Sequence, residues 1–220
     1  MEPRNPRLDL WLLSLTRRPR PRVLFVPTAT GDSKDYIRRF YKAFDRLPCE
    51  PQHLQLFNRT AVNVREPILA SDLIFVGGGN TANLLAVWRV HGVDRALREA
   101  WENGVVLAGV SAGAICWFEA GVTDSFGLNL QPLTNALALL PGSFCPHYDG
   151  DPARRPAFHR LVAEGALPDG LAADDGAAIL FEETSIADVV RSRPRVAAYR
   201  VTRNDDGALE ERLEARLLLR

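Results

Sequence analysis

The stretch Val105-Val106-Leu107-Ala108-Gly109-Val110-Ser111-Ala112-Gly113-Ala114-Ile115-Cys116-Trp117-Phe118 decides the fold. Its opening residues are apolar and β-branched, which reads as a buried strand. Gly109-Val110-Ser111-Ala112-Gly113 then matches the G-x-S-x-G pattern of a nucleophile elbow, where the chain leaves a strand, turns sharply and enters a helix. Such a turn lifts the serine hydroxyl out of the sheet edge, and the flanking glycines relieve crowding at a strained point. It also leaves the Ala112 amide free to donate to an oxyanion, assisted by the helix N-terminus. The same five residues fit a plain loop; what favours the catalytic reading is their place between an apolar strand and the apolar segment Ala114–Phe118.

Moving outward, Ser71-Asp72-Leu73-Ile74-Phe75-Val76 reads as another strand and runs straight into Gly77-Gly78-Gly79-Asn80-Thr81. Three glycines let backbone amides approach a ligand closely, and Asn80 or Thr81 can cap the next helix. The functional reading is the other half of an oxyanion hole, supplied by Gly78 or Gly79. A tight structural turn and a phosphate loop compete with it. No Lys follows at P-loop spacing and no G-x-G-x-x-G opens the first strand, so nucleotide binding falls behind.

Around these motifs, Arg22–Pro27 reads as a strand, and Asp32 or Ser33 caps a helix from about Lys34 to Leu47. His53–Phe57 reads as a second strand, with helices over Ala82–Arg89 and Val93–Asn103. Strands alternating with helices mean a parallel sheet covered on both faces. After Gly121 the pattern loosens into a loop-rich stretch reaching Asp151. Pro152–Glu164 is then helical, and Ala177–Glu182, Ile186–Arg191 and Val196–Val201 are short strands of an edge meander. With no repeat or linker, residues 1–220 read as a single α/β domain with a mostly parallel central sheet.

The bulk numbers agree. Of 220 residues, 46% are hydrophobic and 25% charged, a globular composition long enough to bury a core without disulfides or metals. Lys+Arg and Asp+Glu both total 27, so no basic excess exists to hold nucleic acid or an anionic membrane. Cys49, Cys116 and Cys145 are sparse and form no CxxC pair, the pattern of reduced thiols in a cytoplasmic protein. The apolar stretch Leu8–Leu15 contains Asp9 and runs into Arg17-Arg18-Pro19-Arg20-Pro21 instead of a cleavage site. No segment approaches the ~18 apolar residues of a membrane span. Without H-E-x-x-H or a Cys/His cluster, neither a metal nor a cofactor is expected.

A serine hydroxyl needs a base. His53 precedes the glycine motifs, and His91 ends a helix in Arg89-Val90-His91-Gly92, where a C-terminal cap is its expected role. His159 falls in a helical, Arg-bearing segment. His147 lies in Phe144-Cys145-Pro146-His147-Tyr148-Asp149, an apolar run ending in a loop, and is favoured as the base. The histidine calls for a buried carboxylate to orient it. Asp124, Asp149, Asp151, Asp174 and Asp175 are candidates, and spacing alone does not choose among them. Asp174-Asp175-Gly176 lies between two apolar strands, where an Asp-Gly hairpin is the equal alternative.

Together, the strand with Gly77-Gly78-Gly79-Asn80-Thr81, the run Gly109-Val110-Ser111-Ala112-Gly113-Ala114, and Pro146-His147 resemble the peptidase E family, the α-aspartyl dipeptidases. That family has a class I glutamine amidotransferase-like fold, a three-layer sandwich, and is related to cyanophycinases. The likeness extends from Val23 to Tyr199. It implies a catalytic order of Ser111, His147, then an acid after a late strand. The family's Glu-Gly at that point is matched here by Asp175-Gly176, one methylene shorter. The leading reading is hydrolysis of a short peptide through an acyl-enzyme on Ser111, with the Gly79 and Ala112 amides holding the oxyanion and Asn80 expected as a substrate contact. Asp124 would receive the substrate's α-amino group, and Arg154 or Arg155 an acidic side chain. The expected partner is a small peptide. The edge meander is a surface for a homodimer, and Phe118–Asn129 is expected to form a flap. A cyanophycinase-like or isoaspartyl amide hydrolase is the alternative, as is a non-catalytic, ligand-binding member favoured by the unusual Asp175. An amidotransferase would need Cys in place of Ser111, and the α/β-hydrolase order would place the acid before the histidine.

Overall fold

The computed structural model describes residues 5–59 and 62–219. The chain divides after Gly113 into two compact units. The first contains α1 (Arg7–Leu15), β1 (Arg22–Val26), α2 (Lys34–Phe44), β2 (Glu50–His53), α3 (Arg65–Leu69), β3 (Leu73–Val76), α4 (Thr81–His91), α5 (Val93–Glu102) and β4 (Val106–Gly109). Its four strands form one parallel sheet in the order β2-β1-β3-β4. Residues of β1 and β3 are buried along their whole apolar length, as a parallel sheet covered by helices requires. Phe25 stacks on Phe40 at 4.6 Å, and Phe40 on Phe44 at 4.6 Å, so α2 is fixed to the sheet by its apolar stripe. Ser33 caps α2, its hydroxyl accepting from the Tyr36 amide.

The second strand lies earlier than the sequence suggested. β2 covers Glu50–His53 and not His53–Phe57, and Pro51 is tolerated because β2 is an edge strand. Beyond it, the amides of Leu56 (2.5 Å) and Phe57 (2.8 Å) donate to the buried Asp32 carboxylate, which ends the ladder. Asp32 therefore ties down that segment and leaves the capping of α2 to Ser33.

The short helix α6 (Ala112–Ile115) carries the chain across the division after Gly113 into the second unit. That unit contains β5 (Phe118–Thr123), β6 (Gln131–Leu133), β7 (Leu140–Cys145), α7 (Arg154–Ala163), β8 (Gly170–Ala173), β9 (Ala177–Glu182), β10 (Ser185–Arg191), β11 (Ala198–Asn204), β12 (Gly207–Leu213) and β13 (Arg216–Leu217). A mixed sheet runs β12-β11-β8-β7-β5-β6, with β5, β7 and β8 parallel. Its core gathers Val122, Cys145, Tyr148, Phe158, Leu161, Val162 and Val201.

Three expectations are corrected here. Phe118–Thr123 is no flap but an interior strand between β7 and β6, with Phe118, Ala120 and Val122 buried. The stretch expected to be loop-rich up to Asp151 holds β6 and β7. The late strands form no meander either: β9 and β10 pair in a small sheet with β13, whereas β11 lies between β8 and β12. Local composition marks the late segments as strands without recording which partner each will find, and it leaves β5 to β7 unmarked. The chain is thus α/β with mostly parallel pairing among the strands that carry the motifs, as expected. Among the described residues, no helix is long and apolar enough to cross a membrane.

Candidate active site

β3 and β4 are adjacent and parallel, with Val76 opposite Gly109, so the loops after them leave the same sheet edge side by side. The carboxyl ends of parallel strands are where α/β sheets place ligands. Ser111 sits at φ +58°, in the left-handed region that only a tightly determined turn imposes on a serine. The surrounding glycines are there for space. A Cβ on Gly109 would stand 1.9 Å from the Gly113 carbonyl oxygen, and one on Gly113 would stand 2.3 Å from that of Val76. Gly78 is pressed against the serine: its Cβ would meet Ser111 Cβ at 2.9 Å and Oγ at 3.5 Å.

The amides around Ser111 divide into bound and unbound. Val110 N–H donates to Val76 O at 3.1 Å, Gly113 N–H to Val110 O at 3.0 Å, and Gly77 N–H to Val26 O at 3.1 Å. The Gly79 and Ala112 amides donate to no acceptor among the described residues. The helix after the serine is four residues long. Its dipole is correspondingly slight, so the amides themselves must carry any oxyanion stabilisation. Asn80 caps α4, its Oδ1 accepting from Asn83 N–H at 2.8 Å.

The second unit repeats the same strand logic. β7 and β8 are adjacent and parallel, with Cys145 opposite Ala172, so the residues following them also emerge together. His147, at φ +55°, directs Nδ1 to Asp175 Oδ1 at 2.7 Å. Its carbonyl accepts from the amides of Gly150 (3.2 Å) and Asp151 (3.3 Å), which fixes the turn. The Asp175 amide donates to Asp149 Oδ1 at 2.7 Å, and Arg193 donates to the Asp175 carbonyl. Ser192 N–H closes the turn on Gly176 O at 2.8 Å. This is not a hairpin, because β8 and β9 belong to different sheets.

The acid beside the histidine is half exposed, whereas a buried one was expected. Asp174 is the buried neighbour, and it is structural: it accepts from Ala197 N–H at 2.8 Å and from the Tyr199 hydroxyl at 3.4 Å. Burial pushes its carboxyl up against the pull of the Ala197 amide. The other histidines have partners elsewhere. His53 Nδ1 meets the Tyr41 hydroxyl at 2.8 Å, His91 ends α4 before the left-handed Gly92, and His159 Nε2 lies 2.9 Å from Glu210.

Residues 1–189 match peptidase family S51. The chain belongs to that family. It is 53% identical over 203 residues to the uncharacterized peptidase YgaJ of Bacillus subtilis, covering 91% of this chain and 86% of that one. Peptidase E of Shewanella denitrificans is 39% identical over a shorter stretch of 85 residues, 38% of this chain and 36% of its own length. Among solved structures, a peptidase from an acI-B1 Actinobacterium superposes with a TM-score of 0.71 at 19% identity, covering 96% of this chain and 89% of that one. That likeness speaks for the fold. The S51 chain is a peptidase.

The remaining expected contacts of this S51 peptidase differ in kind. Asp124 is exposed and lies 3.8 Å from the guanidinium of Arg154. Arg154 is buried, has Asp151 at 3.7 Å on its other side, and its Nε and Nη1 make no hydrogen bond. Arg155 is already engaged: it forks onto Glu210, with Nε at 2.9 Å from Oε2, and lies over the rings of Tyr148 (5.2 Å) and Tyr199 (4.9 Å). Glu210 itself escaped the sequence reading. Besides Arg155 it accepts from the Tyr148 hydroxyl at 2.7 Å and pairs with His159. Burial alone would raise its carboxyl, but the hydrogen bonds from Arg155, Tyr148 and His159 outweigh that and bring it down to about 2. No local signal marks it: Glu210-Glu211-Arg212 is a run of three charged residues, and nothing in that run says which one turns inward. All three cysteines are free and buried, and desolvation lifts Cys49 to about 11 and Cys145 to about 12. Neither is a ready thiolate nucleophile.

Proposed function

We propose that this S51 peptidase is a serine enzyme that cleaves short peptides through an acyl intermediate on Ser111. The observation that carries this reading is the 2.7 Å bond between His147 Nδ1 and Asp175 Oδ1. Of the four histidines, this one is oriented by a carboxylate through Nδ1, the arrangement that leaves Nε2 to take a proton. His147 accepts the Ser111 proton as Oγ attacks the scissile carbonyl. The Gly79 and Ala112 amides receive the oxyanion, and the imidazolium returns the proton to the leaving amine. Water then repeats the sequence to release the acyl group. Asp175 keeps the tautomer and stabilises the imidazolium, and Gly150 leaves it room, since a Cβ there would stand 2.9 Å from Asp175 Oδ2.

For specificity, the neighbouring opposite charges of Asp124 and Arg154 suit an N-terminal aspartyl residue, which carries an ammonium and a carboxylate. Arg154 takes this role over Arg155, whose fork Glu210 fills. The test is hydrolysis of Asp-Leu beside Ala-Leu, a tripeptide and a β-aspartyl dipeptide, with Ser111→Ala as control. Cleavage of Asp-Leu alone, lost in the variant, supports the full reading. Cleavage of the β-aspartyl peptide instead moves the enzyme to the isoaspartyl amide hydrolases. Turnover that survives Ser111→Ala refutes the serine mechanism.

A further inference from the structure

One phenol touches the serine's glycine turn from outside every sequence motif. Tyr36, in the first turn of α2, accepts a hydrogen bond on its hydroxyl oxygen from Gly78 N–H at 3.2 Å. Its ring edge lies against Gly77, where a Cβ would stand 2.8 Å from Cε1. The ring is itself fixed, edge-on to Phe25 with centroids 5.1 Å apart and with the Arg39 guanidinium 4.9 Å over its face. Burial raises the phenol's pKa, with the Gly78 amide and Arg39 pulling less strongly the other way, so the hydroxyl stays protonated at neutral pH.

This contact solves a problem posed by the sequence. Three consecutive glycines give a turn that can approach Ser111 closely, but they also give it the greatest backbone freedom of any residues. An oxyanion donor works only when its N–H is aimed before the charge develops. Gly77 N–H is held by Val26 O at 3.1 Å and Asn80 N–H by Ala29 O at 2.8 Å, so both ends of the turn are anchored. Gly79 lies against the Ala29 backbone, at φ +139°. Between the anchors, the Gly77–Gly78 peptide has one restraint on its N–H, which is the Tyr36 hydroxyl. Holding that peptide fixes where the next one, which presents the Gly79 N–H, can point. It also commits the Gly78 amide, so Gly79 is left as the donor of the turn.

We infer that Tyr36 is a positioning residue for the oxyanion hole: through Gly78 it holds the Gly79 amide in its donating orientation. The inference rests on the serine reading above and adds a residue to it. Tyr36→Phe removes the hydroxyl and keeps the ring packed, so the fold should survive. The variant is expected to lose about 10- to 100-fold in kcat, less than the loss of a donor itself, with KM within about twofold. Labelling of Ser111 by a fluorophosphonate should slow by a similar factor, because phosphonylation develops the same oxyanion. The Gly78 amide, followed by its nitrogen chemical shift, should move. A hydroxyl serving packing alone would lower Tm and leave kcat and labelling unchanged; that result overturns the inference while the serine reading stands. If wild-type Ser111 takes no label and Ser111→Ala turns over normally, the serine reading fails and the role of Tyr36 goes with it.

Discussion

The pair β3/β4 and the pair β7/β8 use one topological device to build opposite kinds of site. In each, adjacent parallel strands release their loops at a common edge. After β3 and β4 the proposed site is built mostly of backbone amides, and the sequence exposes them by removing side chains: Gly77, Gly78, Gly79, Gly109 and Gly113. After β7 and β8 the atoms of the proposed site are side chains, His147 and Asp175, and the turn that carries them is held by Asp149 and Arg193, with Glu210 bonded to the neighbouring Tyr148. A site made of backbone is governed by space and tolerates no added atom. A site made of side chains is governed by partners, and its tolerance depends on which partner is altered.

The sharpest way to break this contrast is Gly109→Ala. The new methyl would stand 1.9 Å from a backbone oxygen that cannot swing aside, so the elbow must distort. Peptidase turnover is expected to fall by about 10³-fold or more with a lowered Tm, and a variant of near wild-type activity would show that space does not rule this side.

Asp175→Asn probes the other side. The carboxylate is half exposed, so the fold should hold while kcat drops by about 10²- to 10⁴-fold, the scale of losing an orienting acid. Equal losses of Tm and activity would instead mark Asp175 as a structural group.

Glu210→Gln should act on stability. A carboxylate whose folded pKa of about 2 lies below its ordinary 4.5 stabilises the fold above about pH 4.5 and loses that contribution as pH falls toward 2. Removing the charge should cost on the order of 1–3 kcal/mol at pH 7 and flatten acid unfolding across that window. Chemical denaturation at pH 7 and at pH 3 measures both effects.

Asp174→Asn should do least. Asn can still accept from Ala197 N–H, and burial already disfavours the charged form there. Kinetics within about threefold of wild type are expected from a group that touches no reacting atom. A loss as large as that of Asp175→Asn would reverse the assignment of the two aspartates.

How much was legible in the sequence follows the same division. Both glycine motifs, Ser111, and the strands ahead of them could be read directly, because steric demand leaves a local signature of small residues after an apolar run. His147 was singled out by its apolar, turn-ending context, and the structure pairs it with a carboxylate. Spacing alone left Asp175 one of five carboxylates and only the family resemblance pointed to it; in the structure it pairs with His147 Nδ1, whereas Asp174 is buried and amide-bound. Tyr36 and Glu210 were not legible at all. Tyr36 looks like one member of an amphipathic stripe, and Glu210 like one acidic residue of a charged run, until partners 42 and 62 residues away are brought to them.

The sequence by itself determined the alternation of strands and helices, the two glycine turns and the serine between them. Those depend on short-range sterics and on the periodicity of burial, both of which act within a few residues. Tertiary structure alone decided that β5 is an interior strand, that β9 and β11 belong to different sheets, and that Arg155 is held by Glu210 while Arg154 lies beside Asp124. Strand pairing and charge pairing are contests among distant partners, and their outcome is set by where the backbone brings each group.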